Sequence, residues 1–243
     1  MRKTLIIWQR ELSSSFLSPI AYVVIAVFLV VAGWTFLEAA ESNAGSQESL
    51  EVLLFVSIFF WMPFFVTAIT MRLFTEEKRS GTLETLMTAP VSDLAVVMGK
   101  FLGAFSFLFV VVAPAVGVIY ILAAFSPGVE GVDSGNILGG SVILVVISSL
   151  CISIGLFVSL LTRNQIVAAI CCFTAICFPF LIRTAVSNLP VGSDQMLEYL
   201  SAETHIVDFA RGSIDTRPLV MYVSGTVFML FAAVKALEAR RWR

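Results

Sequence analysis

Charge is scarce in this chain. Asp, Glu, Lys and Arg make up 13% of its 243 residues, while 58% are hydrophobic and the mean hydropathy is +0.96. Soluble domains carry about a quarter of their residues as charges, so one soluble core of this size cannot hide the excess, and the composition is that of a polytopic membrane protein. Histidine occurs once, at His205, which leaves no two-histidine metal site. No Gly-x4-Gly-Lys-Ser/Thr loop is present, so the chain does not hydrolyse ATP by that route, and no Gly-x-Ser-Gly nucleophile appears. Cys151, Cys171, Cys172 and Cys177 all sit in apolar runs, the setting of plain buried thiols rather than of a disulfide framework or a zinc site. The net charge of −2 gives no excess of positive charge for a nucleic acid.

What is abundant is apolar length. Crossing about 30 Å of hydrocarbon takes roughly 20 apolar residues. Six stretches qualify: Ile20–Leu37, Val52–Met71, Leu94–Phe125, Ile137–Leu161, Ile166–Ile182 and Leu219–Leu237. The third is too long for a perpendicular crossing, and is expected to begin in the cytoplasm around Lys100 and to kink at Pro114. With the N-terminus inside, the inner flanks carry 12 Lys and Arg against three outside (Arg183, Arg211, Arg217), which places both termini in the cytoplasm. No cleavable signal peptide is expected, because residues 1–15 mix charges with apolar residues.

The span interiors lack Asp, Glu and His, and Lys100 and Lys235 lie near inner ends, where lysines snorkel to the interface. A stand-alone channel or ion-coupled carrier needs polar groups there, so energy for uphill transport has to come from a partner. Two segments outside the spans have structure of their own. Leu5, Trp8, Leu12 and Phe16 recur at helical spacing, as in an amphipathic helix lying in the interface; an ordinary basic flank is the plainer reading. Between the second and third spans, Phe74–Ser80 reads as a short charged helix with Glu76, Glu77, Lys78 and Arg79, and Gly81 breaks it. Thr82–Met87 reads as a second helix, with Thr82 as N-cap and Glu84 in its first turn; Ala89-Pro90 stops it and Ser92 caps the third span. Such a loop is built to be gripped, although most charge runs are merely solvated. The segment between spans five and six holds one or two short amphipathic helices, around Met196-Leu197-Leu200 and Ile206-Phe209-Ala210.

Residues spread along nearly the whole chain resemble the membrane subunit of ABC-2 type transporters, with the permeases of gliding-motility ABC transporters as the nearest branch. They include Ser18-Pro-Ile-Ala-Tyr22, Met71-Arg-Leu-Phe74, Glu76-Glu-Lys78, Gly81-Thr-Leu-Glu84, Ala89-Pro-Val-Ser92, Asp133-Ser-Gly135, Asn164-Gln165 and Arg211-Gly-Ser-Ile-Asp215. The resemblance implies an all-α fold. Its parts are six transmembrane helices, an N-terminal interfacial helix, a cytoplasmic coupling helix and short outer re-entrant helices between spans five and six. Residues 1–243 would form one such domain. It also implies a permease that is not itself an enzyme, pairs with a second permease copy or a homologue, and is driven by two separate ATPase subunits that bind the ATP and magnesium. Glu76, Glu77, Lys78, Arg79, Gly81, Thr82 and Glu84 would contact the ATPase. One departure is visible: where the family continues with an acidic residue after an arginine, Arg217 is here followed by Pro218.

Gly99 and Gly103 form a Gly-x3-Gly pair on span three, either a small-residue packing face or a chance pair. The second span is rich in aromatics (Phe55, Phe59, Phe60, Phe64, Phe65), which line either a greasy path for a lipid-like substrate or ordinary packing. Export by an ATP-driven inner-membrane permease is the leading reading, with membrane lipid as its surroundings. The alternative is a non-transporting subunit that transmits mechanical work to an outer partner.

Overall fold

The computed structural model of the chain describes residues 2–43, 48–82, 91–125, 133–186 and 201–241, and every regular element among them is a helix. In order they are α1 (Arg2–Leu17), α2 (Pro19–Ser42), α3 (Leu50–Thr70), α4 (Thr75–Ser80), α5 (Asp93–Phe125), α6 (Ser134–Leu161), α7 (Gln165–Val186), α8 (Ala202–Ala210) and α9 (Thr216–Arg241). By length and composition α2, α3, α5, α6 and α9 can each cross a membrane, whereas the apolar part of α7 over Gln165–Phe178 is shorter. Beyond Thr82, the expected second loop helix Thr82–Met87, with Glu84, lies outside the described residues, as do Met196, Leu197 and Leu200 of the expected outer helix.

Lipid tails are as apolar as leucine, so helices in a bilayer associate through close packing and internal polar contacts rather than by escaping water. Helix α6 is the hub, touching α3, α5, α7, α8 and α9. Small residues let its neighbours in. A Cβ on Gly140 would stand 2.4 Å from the Phe55 ring of α3, one on Gly139 would stand 2.5 Å from the Phe209 carbonyl oxygen of α8, and one on Gly155 would meet Thr70 and Cys172. Polar ties add to this: Ser149 and Thr226 share a hydrogen bond of 3.0 Å between α6 and α9. The start of α6 is set by Asp133, whose carboxylate accepts from the Gly135 N–H at 2.8 Å. The Asp133 N–H in turn donates to Glu51 at 2.9 Å, joining the beginnings of α3 and α6.

Helix α5 runs unbroken through Pro114 for 33 residues, about 50 Å. That exceeds the hydrocarbon thickness. The first turns of α5 after Asp93 are instead covered by α1, and Lys100 is 2% exposed, so it does not snorkel to an interface as expected. The Gly-x3-Gly pair faces α1: a Cβ on Gly99 would collide with Ile7 at 2.6 Å and one on Gly103 with Glu11 at 2.7 Å. Thus the seat of α1 is the line of Ile7 and Glu11, beside the expected stripe. Trp8 belongs to both, its indole donating to Ser106 at 3.0 Å, and Phe16 packs edge-on to Phe107. Leu12 is half-buried, while Leu5 is left exposed.

The aromatics of α3 divide. Phe55, Phe59 and Phe65 pack inside the bundle, whereas Phe60 and Phe64 face outward in a ladder with Trp61 and Phe173. Among the thiols, Cys171 is exposed rather than buried. The Pro218 departure costs the fold nothing: it lies in the first turn of α9, where no intrahelical N–H is required, and Asp215 accepts from the Arg217 N–H at 3.0 Å.

Gly139→Ala should therefore lower thermal stability by about 1–3 kcal/mol, because the atom it would strike is backbone; Gly33→Ala, which meets nothing within 4 Å, should leave the melting temperature of the detergent-solubilised protein unchanged.

Candidate functional site

The charged segment after α3 folds into a compact elbow. Helix α4 carries Glu76 and Glu77 in its first turn and Lys78 and Arg79 in its last, the order that suits its dipole. Gly81, at φ +74°, ends it in the left-handed conformation that glycine adopts freely. Phe74 enters α4 fully buried, and its N–H donates to Ser159 Oγ at 3.0 Å.

Two lysines tie this elbow down. Lys78 reaches the C-terminal end of α6, donating to the carbonyls of Ser159 at 3.2 Å and Thr162 at 2.8 Å, and to that of Leu160. The last carbonyls of a helix have no partner within it and carry the negative end of its dipole, so an ammonium satisfies both needs. Lys100, from α5, is the second anchor. Its ammonium lies 2.8 Å from Glu11 of α1 and 2.9 Å from Glu77 of α4, donates to the Leu73 carbonyl at 2.8 Å, and sits over the Phe74 ring. Three segments far apart in sequence thus meet at one buried charge. Gln165 adds a fourth element, α7, donating to Glu76 at 3.2 Å.

Of the residues marked out by sequence, Glu77 and Lys78 are consequently directed inward. Glu76, Arg79, Gly81 and Thr82 remain exposed, and Glu84 lies outside the described residues. Glu77 is only half satisfied: its Oε1 faces Lys100, and its Oε2 is buried with no hydrogen-bond partner. Sequence reasoning missed Glu11, Lys100 and Ser159 as site residues. The available signal was a lysine and a glutamate placed on otherwise apolar or small-residue faces. Among the described residues no three His, Cys, Asp or Glu side chains come together to hold a metal ion.

The opposite end of the bundle has its own polar contacts. Helix α8 buries Ile206, Phe209 and Ala210, the face expected from the sequence, and Ser201 caps it. His205 shares a hydrogen bond of 2.9 Å with the Tyr222 hydroxyl, and Arg211 pairs with Glu48 at 2.6 Å. Burial lowers the His205 pKa below its ordinary value, against the opposing pull of Asp208 and Asp215.

Lys100→Met strands two carboxylates in a largely buried site and should destabilise the protein by about 3 kcal/mol; the triple variant K100M/E11Q/E77Q should recover much of the loss in a thermal melt. A histidine with a depressed folded-state pKa is held neutral, so its contribution is present above the unfolded-state pKa and lost as pH falls toward the folded-state value. Melting temperature should therefore drop on mild acidification, and H205Q should flatten that part of the profile.

The elbow lies almost wholly within residues 13–183, which match the model of the family described as ABC-2 family transporter protein; only Glu11 precedes the match. No curated protein matches the chain. The match covers more than half of the sequence and agrees with a multi-pass bundle of apolar helices. The chain belongs to the ABC-2 transporter family, whose members are the membrane-spanning permease components of ABC transporters and in general associate with an ABC ATPase.

Proposed function

We propose that this chain is the permease through which a separate pair of ABC ATPase subunits drives export across a bacterial inner membrane, with α4 and the residues following it as the docking point. The observation that carries this reading is the asymmetry of the elbow. Its inner side is bound through Lys78, Glu77 and Phe74 to α6 and α5, while Glu76, Arg79, Gly81 and Thr82 are presented outward. An ATPase that grips the outward side displaces α1, α5 and α6 together, because the buried charges leave little freedom for α4 to move alone. ATP and magnesium stay on the ATPase, so the chain needs no catalytic residue.

The same reading makes α7 (Gln165–Val186) the fifth of six crossings and places both termini in the cytoplasm, with α1 as interfacial helix and α8 as part of an outer re-entrant pair. A second permease copy or homologue completes the transporter. The outward ladder of Phe60, Trp61, Phe64 and Phe173 on α3 and α7 suits an amphiphilic or lipid-like substrate, and the branch resembled is that of gliding-motility permeases.

Arg79→Glu and Glu84→Lys should each reduce stimulation of the partner ATPase by about tenfold, since opposed like charges cost several kcal/mol at an interface, while insertion and melting temperature stay normal. Co-purification of the solubilised chain with its ATPase, followed by ATPase assays in liposomes, checks this; unchanged stimulation in both variants would refute the docking assignment.

A further inference from the structure

Where α1, the end of α3, α4 and the start of α5 meet, they enclose a polar cleft of about 420 Å³. That is far more than the roughly 30 Å³ share of one water. Its walls carry both signs of charge. Glu11 and Glu77 share the ammonium of Lys100, but the guanidiniums of exposed Arg10 and half-buried Arg72 pair with no side chain among the described residues. Ser14 and Ser15 add hydroxyls on the α1 side, and Glu77 Oε2 is buried without a donor.

Each unmet group asks for a particular complement. Two guanidiniums beside hydroxyls match the oxygens of a phosphate, which arginine binds through charge-assisted, often paired hydrogen bonds. Lys100 balances the Glu77 charge through Oε1, but Oε2 still lacks a donor, and a buried acceptor left without an N–H is costly. One molecule supplies both if it joins a phosphate to a primary ammonium by a short linker. The lining also includes Ile20, Ile69 and Phe107, and Ile20 is 57% exposed on the outside of the bundle, so the cleft has an apolar exit toward the surrounding acyl chains.

We propose that this cleft seats the headgroup of a phospholipid bearing a phosphate and a primary ammonium, as in phosphatidylethanolamine, with Arg10 and Arg72 on the phosphate and Glu77 on the ammonium. Choline lacks an N–H to give Glu77, and a glycerol headgroup lacks the cation altogether. The lipid braces α1 against the junction of α3 and α4, at the same buried charge that holds the elbow. The inference requires the chain to lie in a bilayer and does not depend on where an ATPase docks.

The test is titration of the delipidated full-length protein with phosphatidylethanolamine, phosphatidylcholine and phosphatidylglycerol, read by native mass spectrometry. Phosphatidylethanolamine should bind about tenfold or more tightly than the other two, by the worth of one charge-assisted hydrogen bond, and stepwise N-methylation of its headgroup should erode that margin. R10A/R72A should weaken its binding by a similar factor, and R10K/R72K by less. Should the alanine variant fail to fold, the methylation series on the unmodified protein decides alone. Equal affinity for all three headgroups overturns the proposal, as does a preference for phosphatidylglycerol. So does an R10A/R72A variant that keeps its lipid but loses its ATPase, which would make the cleft a protein-docking surface.

Discussion

A single buried lysine organises one end of this molecule. Lys100 is almost wholly buried, and an ammonium there is tolerable only if negative groups surround it closely. Glu11, Glu77 and the Leu73 carbonyl do so at 2.8–2.9 Å. This requirement brings together the N-terminal helix, the elbow after α3 and the long helix α5. It also explains why α5 can extend beyond the thickness of a bilayer: its excess length is clothed by α1, which nests against Gly99 and Gly103.

Lys78 extends the same logic to α6. By occupying the terminal carbonyls of that helix, it attaches the elbow to the element that touches most of the bundle. The two anchors differ in kind. Lys78 bonds to backbone dipoles and fixes position, whereas Lys100 balances full charges and is sensitive to the loss of any one of them. Between them α4 is held on one side and bare on the other, a shape suited to passing a displacement inward from a partner. At the other end of α6, Gly139 and Gly140 admit α8 and Phe55 by close contact, beside the hydrogen bond from Asp133 to buried Glu51.

Much was legible from composition and period. Five of the crossings, the short charged helix broken by Gly81, the capping role of Ser92 and the apolar face of α8 all follow from local rules: apolar length, helix dipole, side-chain caps and glycine's freedom at positive φ. Lys100 was misjudged as an interfacial snorkeller because its neighbours in sequence are apolar and its partners lie 89 and 23 residues away. The α1 stripe of Leu5, Trp8, Leu12 and Phe16 was read as the helix's main working face, whereas the closest packing runs through Ile7 and Glu11, because a partner offering glycines rewards close approach more than apolar area.

The sequence by itself determined that the chain is an all-helical membrane protein and that the charged segment just after Thr70 begins with a short helix, because these depend on residue types and short-range spacing. Only the tertiary structure decided which of those charged residues face inward. Burial and pairing are properties of positions brought together in space: Glu76 and Glu77 are adjacent acids and Lys78 and Arg79 adjacent bases, yet one of each pair looks outward and the other is anchored within. The distinction depends on where α5 and α6 present Lys100 and the end of a helix, which no local pattern encodes.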